Sequence, residues 1–215
     1  MKQTSLLFIL PIALIAVFAG CSEQTSDEID FGLIRNSVYQ NEYFGLSVPL
    51  PPEWIAQDQE ARRKLQESGG KMLAGDDKNL QAAVKASEMT TINLLAVFKH
   101  PMDKPVLFNP NIICVAERVH HIPEIKNGKD YLFQSKKLLE TGQLKVSFPG
   151  EIYTESIGGR EFGVMHVEIP MPDRTVSQKY LATIMKGYAL TFIVSFSTAE
   201  EESALHNILK TVTFK

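Results

Sequence analysis

Cysteine is scarce in this chain: its 215 residues hold two, Cys21 and Cys114. Two thiols allow at most one bridge. Cationic excess is also lacking. The formal net charge is −3, which leaves no electrostatic case for nucleic acid. Histidine occurs five times, yet no H-E-x-x-H or clustered Cys/His spacing appears, so no metal and no other cofactor is expected. No G-x-S-x-G elbow is present, and Ser147, Ser156 and Ser195 read as ordinary strand residues. The stretch "GGKMLAGDDK" lacks the G-x-x-x-x-G-K-[ST] spacing of a phosphate loop. Internal repeats are missing too.

No apolar run is long enough for a comfortable membrane span. Leu6 to Ala19 gives about 14 residues against the roughly 20 required. With Lys2 before it and the small residues Ala19 and Gly20 at its end, the segment reads as a secretory signal peptide over residues 1–20. Phe18-Ala19-Gly20-Cys21 resembles the processing box of bacterial lipoproteins, with Phe18 where Leu is usual. The resemblance implies that the chain is cut before Cys21, which carries a diacylglyceryl group and often an acylated amine. Each buried methylene contributes about 0.8 kcal/mol, so two or three acyl chains anchor stably where one does not. The membrane, reached through the lipid on Cys21, is thus the first expected partner. Cys114 is then left alone, which excludes an intramolecular disulfide.

Residues 21–30 form an acidic tether. Glu23, Asp27, Glu28 and Asp30 crowd a stretch with a single apolar residue, Ile29, too little to order itself. Such a segment reaches roughly 15–18 Å. Ser22, rather than Asp, follows the lipidated position. By the lipoprotein sorting pattern this implies the periplasmic face of the outer membrane in a host with two membranes, and the cell envelope in any case.

Residues 31–215 have the size of one domain. Val38 to Pro51 reads as two strands around Asn41-Glu42, with Phe44, Leu46 and Val48 on a buried face. Ala61, Leu65 and Met72 mark a helix from Gln57 that Gly69-Gly70 could break and Gly75 ends. Leu80, Ala83, Val84 and Ser87 suggest a second. Thr91–Phe98 and Asn111–Val119 read as central strands, rich in β-branched residues. Asn127 to Gly142 forms a helix lined by Tyr131, Ser135, Leu138 and Leu139. Two hairpins follow, Glu151–Ile157 with Arg160–Ile169 around Gly158-Gly159, and Thr175–Met185 with Tyr188–Ser197 around Lys186-Gly187. A capping box at Thr198 and Glu201 opens the last helix, and Thr211–Phe214 closes the domain as a strand.

This order predicts an α+β fold, a three-layer α/β/α sandwich with a mainly antiparallel sheet. "YFGLSVPLPPEW" resembles the N-terminal signature of PsbP-like (Mog-type) sandwiches, and "GYALTFIVSFSTAEEESALHNILKTVTF" is similar to their ending. Members include photosystem-associated proteins, a Ran-binding protein and many bacterial lipoproteins. The resemblance implies a non-enzymatic fold used for binding.

Individual residues add little chemistry. His120 and His121, adjacent at a strand end, point to opposite faces and cannot chelate side by side. His166 falls on the wetter phase of its strand, His100 at a strand end, and His206 on a helix surface. Cys114, between Ile113 and Val115, reads as a buried small hydrophobe. Glu117, Glu161 and Glu168 lie in strands and read as the solvated face of the sheet. Trp54, after the prolines, is a packing anchor rather than a ligand platform. No catalytic residue emerges. The expected function is a lipid-anchored envelope module that binds a protein partner or small ligand. The alternatives are an envelope hydrolase with a dispersed site and a carrier with an apolar cavity between sheet and helix.

Overall fold

The computed structural model describes residues 29–215. The signal peptide, the Cys21 lipidation site and nearly all of the tether therefore lie outside the described residues.

Strands β1 (Leu33–Arg35), β2 (Val38–Asn41) and β3 (Leu46–Pro49) open the domain, followed by the short β4 (Ile55–Ala56). Helix α1 (Gln59–Ala74) starts where the Asp58 side chain accepts from the Ala61 N–H and ends at Gly75, whose φ of 51° suits glycine. Gly69 and Gly70 do not interrupt it. A Cβ on Gly70 would lie 2.5 Å from a methyl of Val84 in α2 (Lys78–Glu88), so the small residue lets the two helices touch. Strands β5 (Thr91–Phe98) and β6 (Asn111–Arg118) lead to α3 (Gly128–Thr141), capped by Asn127. Then come β7 (Tyr153–Ile157), β8 (Arg160–Met171), β9 (Arg174–Met185), β10 (Tyr188–Phe196), α4 (Ala199–Lys210) and β11 (Thr213–Phe214). The expected capping box is present, with Thr198 accepting from the Glu201 N–H and the Glu201 carboxylate reaching back.

The strands form two antiparallel sheets, one of order β4-β5-β6-β10-β9-β8-β7 and a smaller one of order β1-β2-β3-β11. The central strands of the larger sheet, β6 and β10, are buried on both faces. Leu73, Val84, Tyr131 and Leu139 of α1–α3 pack on one side, against Ile113, Val167 and Ile193. Leu205 and Leu209 of α4, together with Tyr39, Leu46 and Val48 of the smaller sheet, cover the other against Phe162, Leu190 and Phe192. Three layers thus result, as expected. The third layer, however, combines a helix with a second sheet, because β11 returns across the chain to pair with β3. A register shift between Asn93 and Leu95 marks a bulge in β5. It turns both Leu94 and Leu95 toward the second core.

Two sequence readings need correction. Glu117 does not belong to a solvated face: it is only 1% exposed. Both faces of β6 are covered by layers, so alternation along it carries no inside–outside signal. His120 and His121 lie in a turn beyond β6 rather than on a strand, with exposed rings in edge contact 5.7 Å apart.

Candidate functional site

One group of titratable side chains gathers on a shelf beside α4. Register places Tyr153 opposite Val164 and Glu155 opposite Phe162, while His166 faces Lys179 across β8–β9. Cross-strand partners share a face, so all these side chains stand on the α4 side of the larger sheet. The Tyr153 hydroxyl donates to Glu155 Oε1 at 3.0 Å and lies 3.2 Å from His166 Nε2. Lys179 Nζ pairs with Glu202 of α4 at 2.6 Å. Burial and the Glu155 carboxylate push the Tyr153 phenol up to about 12. Burial and nearby Lys179 hold His166 below its ordinary value. At neutral pH the shelf therefore offers a protonated tyrosine and a neutral histidine. That is a hydrogen-bonding surface, in contrast to a nucleophile with a depressed pKa beside a base.

A second feature lies where the chain enters the domain. Asp30 is clasped by Asn41, whose Nδ2 donates to the Asp30 carbonyl at 2.7 Å, and by the Tyr43 N–H at 3.0 Å. The same β2–β3 turn walls a surface groove of about 370 Å³ that also touches Arg160, Lys186 and Lys215. Lys186 Nζ donates to the Tyr43 carbonyl at 2.5 Å and stands 4.8 Å from its ring. The Arg160 guanidinium covers Phe214 at 5.2 Å, and its buried Nε has no hydrogen-bond partner among the described residues. No ion pair among the described residues involves these three cations. Close by, Phe31, Leu33 and Ile34 of the entry segment and β1 are exposed, Leu33 by 60%.

The other sequence candidates scatter. Cys114 is fully buried, and burial pushes its thiol up. Glu117 accepts from the Tyr131 hydroxyl at 2.7 Å beneath α3. Glu161 is exposed, and Glu168 accepts from the Ser147 hydroxyl at 3.3 Å, so the three glutamates do not converge. His100 sits in the β5–β6 loop, where Asn109 bonds both its N–H and its carbonyl. Ser156 is exposed on β7, whereas Ser195 is buried and accepts from Gln178. His206, half-buried on α4, lines a hollow with Glu155 and Ile157. Trp54 packs partly against the second core. Among the described residues no group of three or more His, Cys, Asp or Glu could hold a metal. Under α1, Arg62, Gln66 and Asn93 border a void of about 10 Å³, room for about one water. The sequence missed Arg160, Lys186 and Tyr153, because their neighbours come from strands far apart in the chain. Only the turn glycines beside the two cations, Gly159 and Gly187, were visible signals.

No family model matches the chain, and no curated protein sequence does. Solved structures do resemble it. The solution structure of cyanobacterial PsbP (CyanoP) from Synechocystis sp. PCC 6803 superposes with a TM-score of 0.50 at 10% identity, over 92% of this chain and 98% of that one. The domain therefore adopts a PsbP-like fold, in agreement with the sequence resemblance. LpqN of Mycobacterium tuberculosis, described as involved in cell envelope biogenesis, aligns at TM-score 0.43 and 13% identity over 79% of this chain and 83% of its own. No helix among the described residues is long and apolar enough to cross a membrane.

Proposed function

We propose that this protein is a lipid-anchored cell-envelope module that binds a protein partner or small ligand without transforming it. The observation that carries the reading is the exposed apolar entry strand. Leu33 and Ile34 are open to solvent on β1, which among the described residues pairs only with β2 and stands at the edge of its sheet. Exposed apolar residues on an edge strand mark an interaction surface. The hydrolase alternative draws less support, since the Tyr153–His166 shelf lacks an activated group. The carrier alternative also weakens: the void between α1 and the sheet is about 10 Å³, against roughly 300 Å³ for a small ligand site.

Fractionation of the native host tests the anchor. The protein is expected in membranes, with residues 1–20 lost and Cys21 carrying the mass of a diacylglyceryl group. A soluble protein with an unmodified N-terminus would overturn that part. A photo-crosslinker at Leu33 tests the surface. A discrete adduct is expected that weakens with Ile34→Asp and is absent when the crosslinker sits at exposed Lys137 of α3.

A further inference from the structure

We propose that the groove at the Asn41–Tyr43 turn binds a phosphate group, carried by an anionic lipid headgroup or by a free phosphate. Three observations converge on it. Arg160 and Lys186 reach it from turns some 26 positions apart in sequence, and neither is paired with a carboxylate among the described residues. The Arg160 guanidinium is held over the Phe214 ring at 5.2 Å rather than by a carboxylate. Finally, uncharged donors lie between the cations: the Gln40 amide and the Ser47 hydroxyl line the same groove. Guanidinium, ammonium and amide donors facing one hollow suit the several acceptor oxygens of a phosphate. Glu42 on the rim and the Asp30 carboxylate at the wall are the opposing charges beside Arg160, Lys186 and Lys215.

The position adds a reason for the lipid source. Asp30 is tied to the wall of this groove by its bonds to Asn41 and Tyr43, so the chain from Cys21 reaches the domain beside it. A lipid on Cys21, nine positions before Asp30, would keep the groove within roughly 15–18 Å of the headgroups. Stable anchoring commonly combines acyl chains with a cationic contact to anionic lipid. This part rests on the anchor reading, whereas phosphate binding itself does not.

The test uses the full chain in neutral detergent. Thermal midpoints are measured with inorganic phosphate against chloride of equal ionic strength, and with short-chain phosphatidylglycerol against phosphatidylcholine. Wild type and the control Lys137→Gln are expected to gain stability with phosphate, with phosphatidylglycerol, or with both. Arg160→Gln and Lys186→Gln should each weaken that binding by about tenfold, as loss of one charge-assisted contact implies. Lys186 is exposed, so its variant keeps the test valid if Arg160→Gln fails to fold. A response to inorganic phosphate identifies a free phosphate as sufficient. A response to phosphatidylglycerol alone identifies the headgroup. No shift with either probe, equal shifts in the Lys186 variant, or equal responses to the two lipids with no response to inorganic phosphate would overturn the proposal. Mass spectrometry of the same wild-type protein separates the two readings: an unmodified Cys21 with an intact phosphate shift refutes the anchor and leaves the groove standing, whereas a lipidated Cys21 with no shift refutes the groove alone.

Discussion

Gly128 and Gly163 meet backbone to backbone where α3 comes down on the larger sheet. A Cβ on Gly128 would lie 2.8 Å from the Gly163 nitrogen and 1.7 Å from the Ala182 carbonyl oxygen. A Cβ on Gly163 would lie 2.7 Å from the Gly128 carbonyl carbon and 2.6 Å from the Lys129 nitrogen. These neighbours are main-chain atoms that cannot rotate aside. The pair sets how closely α3 approaches β8 and β9, and so where Tyr131 meets Glu117. Either glycine changed to alanine should cost about 2–3 kcal/mol or more, the upper range of overpacking. Urea unfolding would measure it, and a loss below about 0.5 kcal/mol would show that α3 can slide.

The core predicts an alkaline limit. Burial raises the pKa of Cys114, Tyr39, Tyr131 and Tyr180, with Glu117 adding to the effect at Tyr131. The folded state therefore keeps protons that the unfolded chain releases above its ordinary values of 9.0 for cysteine and 10.0 for tyrosine. Stability is full below those values and falls as pH rises through them, by up to about 1.4 kcal/mol per pH unit for each group. Denaturant unfolding from neutral pH upward should show a loss beginning near pH 9. Tyr131→Phe should reduce the slope, while costing about 1–3 kcal/mol at neutral pH by removing the donor to Glu117. An unchanged slope would refute the assignment.

On the shelf, the direction at His166 can be checked by one substitution. Lys179 lowers its pKa, and Glu202, now paired with Lys179, acts in the raising direction. Lys179→Met removes the first and frees the second, so His166 should titrate at higher pH than in wild type. In wild type the depressed value favours the folded state fully above the ordinary 6.5, and that contribution fades as pH falls. Ring-proton shifts followed by NMR report the change. An unchanged or lower titration would mean that Lys179 does not act on His166.

Where local chemistry decides an element, it was legible in the sequence. Asn127 and Gly142 bracket α3 as the pattern implied, Thr198 and Glu201 open α4, and the Lys186-Gly187 turn joins β9 to β10. Elements that depend on distant partners were not. The two residues of β4 become a strand only because Ile55 pairs with Phe98, and β1 only because β2 receives it. The smaller sheet was hidden for the same reason, since β11 finds β3 across almost the whole domain. Glu117 was misjudged because a strand covered on both faces presents no polar phase. Tyr153 and His166 share a hydrogen bond through a hairpin register that neither residue announces.

The last prediction concerns catalysis, and absence is the expected outcome. Nucleophilic catalysis needs a group activated by a neighbouring base or a lowered pKa, yet Tyr153 is pushed up to about 12 and the Cys114 thiol is raised in the core. His120 and His121 are exposed in a turn, and His100 is held at its main chain by Asn109. Alanine at His100, His120, His121 or His166, Phe at Tyr153, and Ser at Cys114 should therefore leave the host phenotype intact wherever the domain folds. Cys114→Ser is the exception expected to act through stability, because it places a hydroxyl among apolar neighbours at a cost of about 1–3 kcal/mol. Circular dichroism and thermal melts separate the two routes to a lost phenotype. A folded Tyr153→Phe or His166→Ala protein that abolishes function would place the reactive centre on the shelf and bring the hydrolase reading forward. Loss on changing Leu33 or Ile34 alone, with fold and membrane localisation retained, is the outcome a binding module requires.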